Sequence, residues 1–194
     1  MPLIFFLRHG QTAWNAERRI QGHLDTPLND KGRRQAARNG RALAGIIADS
    51  GAFDYVSSPM IRACETMEIV RCEIGLDPKG YRTDPRLREY HLGDWQGHLF
   101  ADIERDFPEL IAERDRDPWN FRYPGDGGES FASFSERVLA WLAEIERDTV
   151  VTAHGGVMRC LRCHFLRLDD EATFRLDAPQ DRVLRIEGNA LSWV

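Results

Sequence analysis

With 194 residues the chain suits a single domain spanning 1–194 and is long enough to bury a full hydrophobic core. Its apolar share of 42% and charged share of 29% are ordinary for a globular protein, and no stretch approaches the roughly eighteen unbroken apolar residues of a membrane helix. A net charge of −5 argues against a surface that grips nucleic acid along its length, while leaving room for a local basic pocket.

The elements follow in chain order. Leu3–Leu7 is a short, unbroken apolar run that suits a strand buried on both faces. It lacks a basic region ahead of it and a small-residue cleavage site after it, so it does not read as a secretory leader. Polar, loop-like sequence continues to Pro27. Asn29 then caps a predicted helix from about Asp30 to Ala48, with Ala36, Ala37, Gly40, Leu43, Ala44 and Ile47 on one face. A second strand near Phe53–Ser57 leads through Ser58-Pro59 into a helix, with the proline placed in its first turn. Met60, Ala63, Cys64, Met67 and Val70 form its inner face.

Between Gly80 and Gly128 the pattern is weaker: a short strand before Pro85, a helix around Ala101–Asp106, and a loop from Asp117 to Gly128. Ser130 caps an amphipathic helix that turns Phe131, Phe134, Val138, Leu142 and Ile145 inward. The β-branched run Thr149–Ala153 predicts a strand, followed at once by His154-Gly155-Gly156 and a helix from about Val157 to Leu166. Arg182–Glu187 and Ala190–Trp193 flank a Gly188-Asn189 turn and predict a hairpin.

Strands alternating with helices predict an α/β fold: a three-layer α/β/α sandwich whose mostly parallel sheet is covered on both faces. Ligands bind such sheets beyond the carboxyl ends of the strands. His9 and His154 each stand just past a predicted strand, so they can meet in one pocket although far apart in sequence. Four cysteines in a chain of this length do not make a disulfide scaffold, and a reducing cytoplasm is the expected setting.

Arg8-His9-Gly10-Gln11-Thr12 has the parts of an anion site. Arg8 offers a planar fork of donors to phosphate oxygens, Gly10 permits close backbone approach, and Thr12 and Asn15 add neutral donors. Arg62 falls on the first turn of its helix, where the N-terminus itself favours anions. Taken singly, each of these residues, and likewise His154 and Glu89, is ordinarily a surface or structural residue.

Together they resemble the histidine phosphatase superfamily, the group that also holds the cofactor-dependent phosphoglycerate mutases. The resemblance rests on Leu-Arg-His-Gly-Gln-Thr-x-x-Asn at Leu7–Asn15, Gln21-Gly22, Asp25-x-Pro27-Leu28, Asn29-x-x-Gly32 and Gln35-Ala36. It continues through Ser57-Ser58-Pro59-x-x-Arg62-Ala63-x-x-Thr66, Leu87-x-Glu89, Gly93-x-Trp95-x-Gly97, Gly128-Glu129-Ser130 and Ala153-His154-Gly155-Gly156. These motifs stand in the family's order and span most of the chain, which makes them far more specific than any one alone.

The resemblance implies a phosphoglycerate mutase-like fold and an attack by His9 on phosphorus, giving a phosphohistidine. Arg8, Arg62 and His154 would surround the equatorial oxygens. Glu89 would serve as general acid and then base. Asn15, Thr12, Gln21, Gly22 and Gly155 complete the expected phosphate and substrate contacts. No metal and no cofactor are implied. The expected partner is a small phosphorylated metabolite, with neither nucleic acid nor membrane involved and with a homodimer compatible.

Among three readings, a phosphatase leads over a phosphoglycerate mutase and over a non-catalytic binder of phosphorylated ligands. In the mutases the residue matching Glu89 precedes Arg-His-Tyr-Gly, whereas here Tyr90-His91-Leu92-Gly93 follows, and Gln11 stands where mutases tend to have glutamate. A non-catalytic member usually loses the nucleophile or the acid, and this chain keeps both. The family often has Trp-Glu-Gly where this chain has Trp95-Gln96-Gly97, a change read as altering local hydrogen bonding. Substrate walls are expected from Arg18–His23 and Glu113–Tyr123. Cys160-Leu161-Arg162-Cys163 is read as packing, His23, His91 and His98 as loop residues near the pocket mouth, and Trp119–Tyr123 as a substrate-facing loop or packing.

Overall fold

A computed structural model describes residues 1–194. Strands β1 (Ile4–Arg8), β2 (Asp54–Ser57), β3 (Arg82–Thr83), β4 (Thr149–Ala153), β5 (Val183–Glu187) and β6 (Ala190–Trp193) form one sheet in the order β3-β2-β4-β1-β5-β6. The first four run parallel to their neighbours, and the β5–β6 hairpin adds to β1 antiparallel. The helices are α1 (Ala13–Glu17), α2 (Asp30–Ala44), α3 (Ile61–Glu73), α4 (Phe100–Asp106), α5 (Pro108–Arg116), α6 (Phe131–Ala143), α7 (Gly155–Leu166) and α8 (Asp170–Arg175).

The central strands explain their own composition. Along β1, Ile4 and Phe6 pack with Val151, Ala153, Leu184 and Ile186 beneath α6 and α7, while Phe5 and Leu7 pack with Tyr55, Val150 and Met67 beneath α2 and α3. A strand covered on both faces has no polar side to show, hence the unbroken apolar run. Each such side chain contributes about 1.5–3 kcal/mol on burial, and the alternation ties the sheet to both helical layers.

Several predicted boundaries move. Helix α2 stops at Ala44, with Gly45 as its cap, and Ala44 is exposed. Asn39 is buried instead, because its Nδ2 donates to the Gln180 carbonyl at 3.0 Å. Helix α3 starts after Met60, which leaves Pro59 outside the helix rather than in its first turn, and Cys64 is only half-buried. Helices α1, α5 and α8 arise within stretches read as loop or left unassigned. Thr12 and Asn15 form a reciprocal capping box around the first turn of α1.

Register sets the position of the site. Arg8 pairs with Ala153 and Ser57 with Thr152, so β1, β4 and β2 end at one level. His9 N–H donates to the Ala153 carbonyl and Ser58 N–H to the Thr152 carbonyl, each at 2.9 Å. His9, Ser58 and His154 are thereby delivered side by side at the carboxyl edge of the sheet.

Candidate active site

His9 is 3% exposed, and its Nδ1 lies 2.8 Å from the Gly10 carbonyl. A carbonyl can only accept, so Nδ1 carries the hydrogen and the Nε2 lone pair is left for the cavity. The His154 ring stands edge-on to it, with centroids 5.3 Å apart. His154 Nε2 meets Ser58 Oγ at 2.7 Å, while its Nδ1 is buried without a partner. Burial, reinforced by nearby Arg62 and Arg8, holds both imidazoles well below the usual histidine range. Both rings are therefore neutral near pH 7.

Arg62 is buried to 1% exposure. Its Nη2 donates to the Gly22 carbonyl at 2.8 Å and its Nη1 to the Leu24 carbonyl at 3.0 Å, with Asp25 at 3.5 Å. Arg8 Nη1 donates to the Ala178 carbonyl at 2.5 Å. In each guanidinium the Nε–H is buried without an acceptor. Burial brings Arg8 down to about 10, the neighbouring Arg159 and Arg62 adding to that effect against Glu89. Orphaned donors and crowded cations together make a strong demand for an anion.

These groups enclose a cavity of about 160 Å³. Arg8, His9, Asn15, Gln21, Gly22, Arg62, Glu89 and Gly155 all line it. The Asn15 Oδ1 accepts from Thr12 N–H and from Gln180 Nε2, and the Gln21 Oε1 accepts from the hydroxyls of Thr12 and Thr26. With both carbonyl oxygens pinned, the amide N–H groups remain for a ligand. Thr12 does not line the cavity: its hydroxyl donates to Gln21 and caps α1, so its part is to orient Gln21 and Asn15. Gly22 contributes through its carbonyl, which anchors Arg62. The close approach at Gly10 is to the backbone of α2, where an added Cβ would lie 2.3 Å from the Gly32 oxygen. The Gly10 N–H is taken by Thr66 at 3.1 Å.

Glu89 forms another wall. Its Oε2 accepts from the Gly156 N–H at the start of α7 at 3.1 Å, and its Oε1 from the Tyr90 N–H at 3.2 Å. An added Cβ on Gly156 would lie 2.2 Å from Oε1, so the second glycine of the pair is what allows the carboxylate to reach this place. Gln96 lies beside this wall, accepting the His23 N–H at 2.6 Å.

Two cavity-side residues were not singled out from the sequence. Arg159 on α7 lines the cavity beside Arg19, which belongs to the Arg18–His23 stretch expected there, and Arg159 is placed by donating Nε–H to the Leu176 carbonyl at 3.0 Å. Gln180 bridges the His9 carbonyl and Asn15, each at 3.1 Å. A helical arginine and a loop glutamine carry no local signal; only the fold brings them here. Tyr90 also lines a second cavity of about 410 Å³, whose walls include Arg114, Asp115, Pro118 and Tyr123. The two cavities draw on the stretches expected to supply substrate walls.

Among the remaining signals, Cys160 is buried in the main core and Cys163 half-buried, and both are free thiols. The His23 and His91 rings touch at 4.8 Å while His98 is exposed, and no group of three or more metal-type ligands converges anywhere in the chain. Phe121 packs with Trp95, and Trp119 packs against Phe131. What the cavity brings together is a neutral imidazole with a free lone pair, cationic donors around it, and one carboxylate beside it. That set can transfer a phosphoryl group, with the charge supplied by side chains.

A sequence profile of the histidine phosphatase superfamily (branch 1) matches residues 4–194. The chain is 41% identical to phosphoglycerate mutase-like protein 4 of Arabidopsis thaliana, over 81% of this chain and 68% of that protein. It is 36% identical to a glucosyl-3-phosphoglycerate phosphatase of Mycobacterium tuberculosis, over 85% of this chain and 75% of that one. A mycobacterial glucosyl-3-phosphoglycerate phosphatase solved in complex with VO3 superposes with a TM-score of 0.76 at 32% identity, covering 100% of this chain and 96% of the other.

Proposed function

Because the chain belongs to the histidine phosphatase superfamily, we propose that it hydrolyses phosphate monoesters of small metabolites without a metal, through a phosphohistidine on His9. The observation that carries this reading is His9 itself. Its Nδ1–H is tied to the Gly10 carbonyl, and its free Nε2 opens on a cavity lined by Arg8 and Arg62.

In the first half-reaction the Nε2 lone pair forms a bond to phosphorus as the ester P–O bond breaks, and Glu89 gives its proton to the leaving oxygen. In the second, a water forms the new P–O bond as Nε2–P breaks, and Glu89 takes the proton of that water. Arg8, Arg62, Asn15 and Gln21 donate to the phosphoryl oxygens throughout, and His154 offers one further N–H from a neutral ring. Gly155 closes the wall beside Arg8. The 410 Å³ cavity beyond Tyr90 suits the leaving group of a small ester. The residues after Glu89 support hydrolysis over return of the phosphoryl group to a sugar acid.

Hydrolysis of p-nitrophenyl phosphate in excess EDTA, compared between wild type and His9→Ala, tests the reading. Wild type is expected to turn over and His9→Ala to lose at least about a thousandfold, with an acid-labile phosphoryl group trapped on His9 in wild type alone. Abolition by EDTA, or a His9→Ala variant within about tenfold of wild type, contradicts it. Phosphoryl return to a hydroxy acid, in place of free phosphate, marks a mutase.

A further inference from the structure

Glu89 lies in a stretch without helix or strand, between Leu87 and Gly93, and its own side chain is held only at the carboxylate. The backbone beneath it is held from elsewhere. Arg137, in the middle of α6, sends its Nη1 to the Arg86 carbonyl at 2.7 Å and the Arg88 carbonyl at 2.8 Å. Its Nη2 reaches the carbonyl of Glu89 itself at 3.0 Å. The remaining two donors form a two-pronged pair with Glu129, Nε to Oε1 and Nη2 to Oε2, both at 2.8 Å. All five guanidinium hydrogens are thus in use, three of them on the chain that carries the acid.

Glu129 extends the bracket to the other side of Glu89. Its Oε2 also accepts the His91 N–H at 2.7 Å, and its own N–H donates to the His91 carbonyl at 2.9 Å. His23 Nε2 meets the Glu89 carbonyl at 2.6 Å from the loop after α1. The Phe134 ring lies 4.7 Å from the Arg137 guanidinium carbon. Burial alone would push the Glu129 carboxyl up, but the hydrogen bonds and charge of Arg137 outweigh it, so the pair stays ionised.

We propose that Arg137, braced by Glu129, is the positioning residue for the reaction's acid: it sets the place of Glu89 without touching substrate. The proposal rests on the reading of Glu89 as the general acid. It adds a role for the Gly128-Glu129-Ser130 motif, whose glutamate does not line the cavity. General acid catalysis matters most when the leaving group is poor, and this distinguishes a positioning role from a merely structural one. Loss of the bracket should spare p-nitrophenyl phosphate, whose leaving group needs little help, and should penalise an alkyl ester such as β-glycerophosphate.

The test measures kcat/KM on both esters for wild type, Arg137→Met, Arg137→Lys, Glu129→Gln and Glu89→Gln, and for Glu89→Gln combined with Arg137→Met. Arg137→Met is expected to lower the alkyl-to-aryl ratio by at least about tenfold. Arg137→Lys should fall in the same direction, since one ammonium cannot serve five acceptors. In the Glu89→Gln background, Arg137→Met should change alkyl turnover by less than about twofold. Equal losses on both esters, or losses that multiply in the double variant, overturn the proposal. If Glu89→Gln itself leaves the ratio unchanged, the acid assignment fails and the positioning role with it; if only Glu89→Gln shifts the ratio, the positioning role fails alone. Should Arg137→Met not fold, as judged by circular dichroism, Glu129→Gln, which keeps size and shape, decides the matter by the same ratio.

Discussion

His9, Ser58 and His154 follow directly on three neighbouring strands whose register brings their ends level, whereas Glu89 lies in a stretch with no strand or helix of its own. The first group is placed by backbone ladders, which a side-chain substitution leaves standing. The second is placed by brackets from α6, α7 and the loop carrying His23, each made of one or two groups. The proposed phosphoryl cradle is therefore set by the fold, and the proposed acid wall by individual contacts. Damage to the cradle should hit every substrate alike, while damage to the wall should be graded and should depend on the leaving group.

The sharpest break of this comparison comes from Arg62→Met. Removing a cation that is 1% exposed and faces the cavity should cost about 10²–10³ in kcat/KM, equally on aryl and alkyl esters. A selective loss on alkyl esters would move Arg62 to the other wall. Gly156→Ala lies on the seam, because its new Cβ would fall 2.2 Å from Glu89 Oε1 and 2.9 Å from the Tyr90 ring. It should cost about ten- to a hundredfold, mostly on alkyl esters; uniform loss would mean that α7 itself has shifted and damaged the cradle.

Ser58→Ala asks whether a single hydroxyl matters within the cradle. The Ser58 Oγ receives the Met60 N–H at 3.4 Å, which favours its own O–H donating to His154 Nε2. His154 is then the Nδ1–H tautomer, with that N–H buried and without an acceptor. The variant should lose about tenfold on both esters, and ¹⁵N NMR of the His154 ring should report a changed tautomer balance; an unchanged spectrum would remove Ser58 from that role.

The gentlest probe is pH. Burial lowers the folded-state pKa of His9 and of His154, so above about pH 6.5 neither binds a proton in either state and nothing is lost. As pH falls through that value the unfolded chain takes protons that the folded chain refuses, and stability declines until the folded pKa is reached. Each histidine should contribute a slope of about 1.4 kcal/mol per pH unit. Urea unfolding at several pH values, with and without His154→Asn, should lose one histidine's share of that slope; an unchanged slope would mean that His154 titrates normally.

What the sequence disclosed follows the same division. The strands β1, β2 and β4 were visible because buried parallel strands must be apolar, and the histidines were visible because they end them. Helix α1 was hidden because its capping box closes on Asn15 rather than on an acidic residue, and the polar run around it looks like loop. Helix α2 runs short because Gly45 caps it ahead of the apolar pattern's end. Arg137 and Gln180 left no trace because the carbonyls that they brace are distant in sequence: Gln180 stands 171 positions from its own. A periodicity marks which face is buried, and it is silent on which side chain crosses the molecule to hold a loop.

The sheet order also governs how the molecule is made. Strand β1 has β4 on one side and β5 on the other, and even the Leu3 N–H finds its acceptor 145 positions later, in Asp148. During synthesis this early apolar strand therefore waits without either neighbour until most of the chain has emerged. His9, the proposed nucleophile, lacks the Ala153 carbonyl that its N–H meets in the folded sheet for that interval. Its Arg8 neighbour and its own carbonyl gain their braces only when the segment bearing Ala178 and Gln180 arrives. The proposed site is thus among the last features that the growing chain completes, and a nascent chain halted before that segment carries the full set of motif residues without these braces.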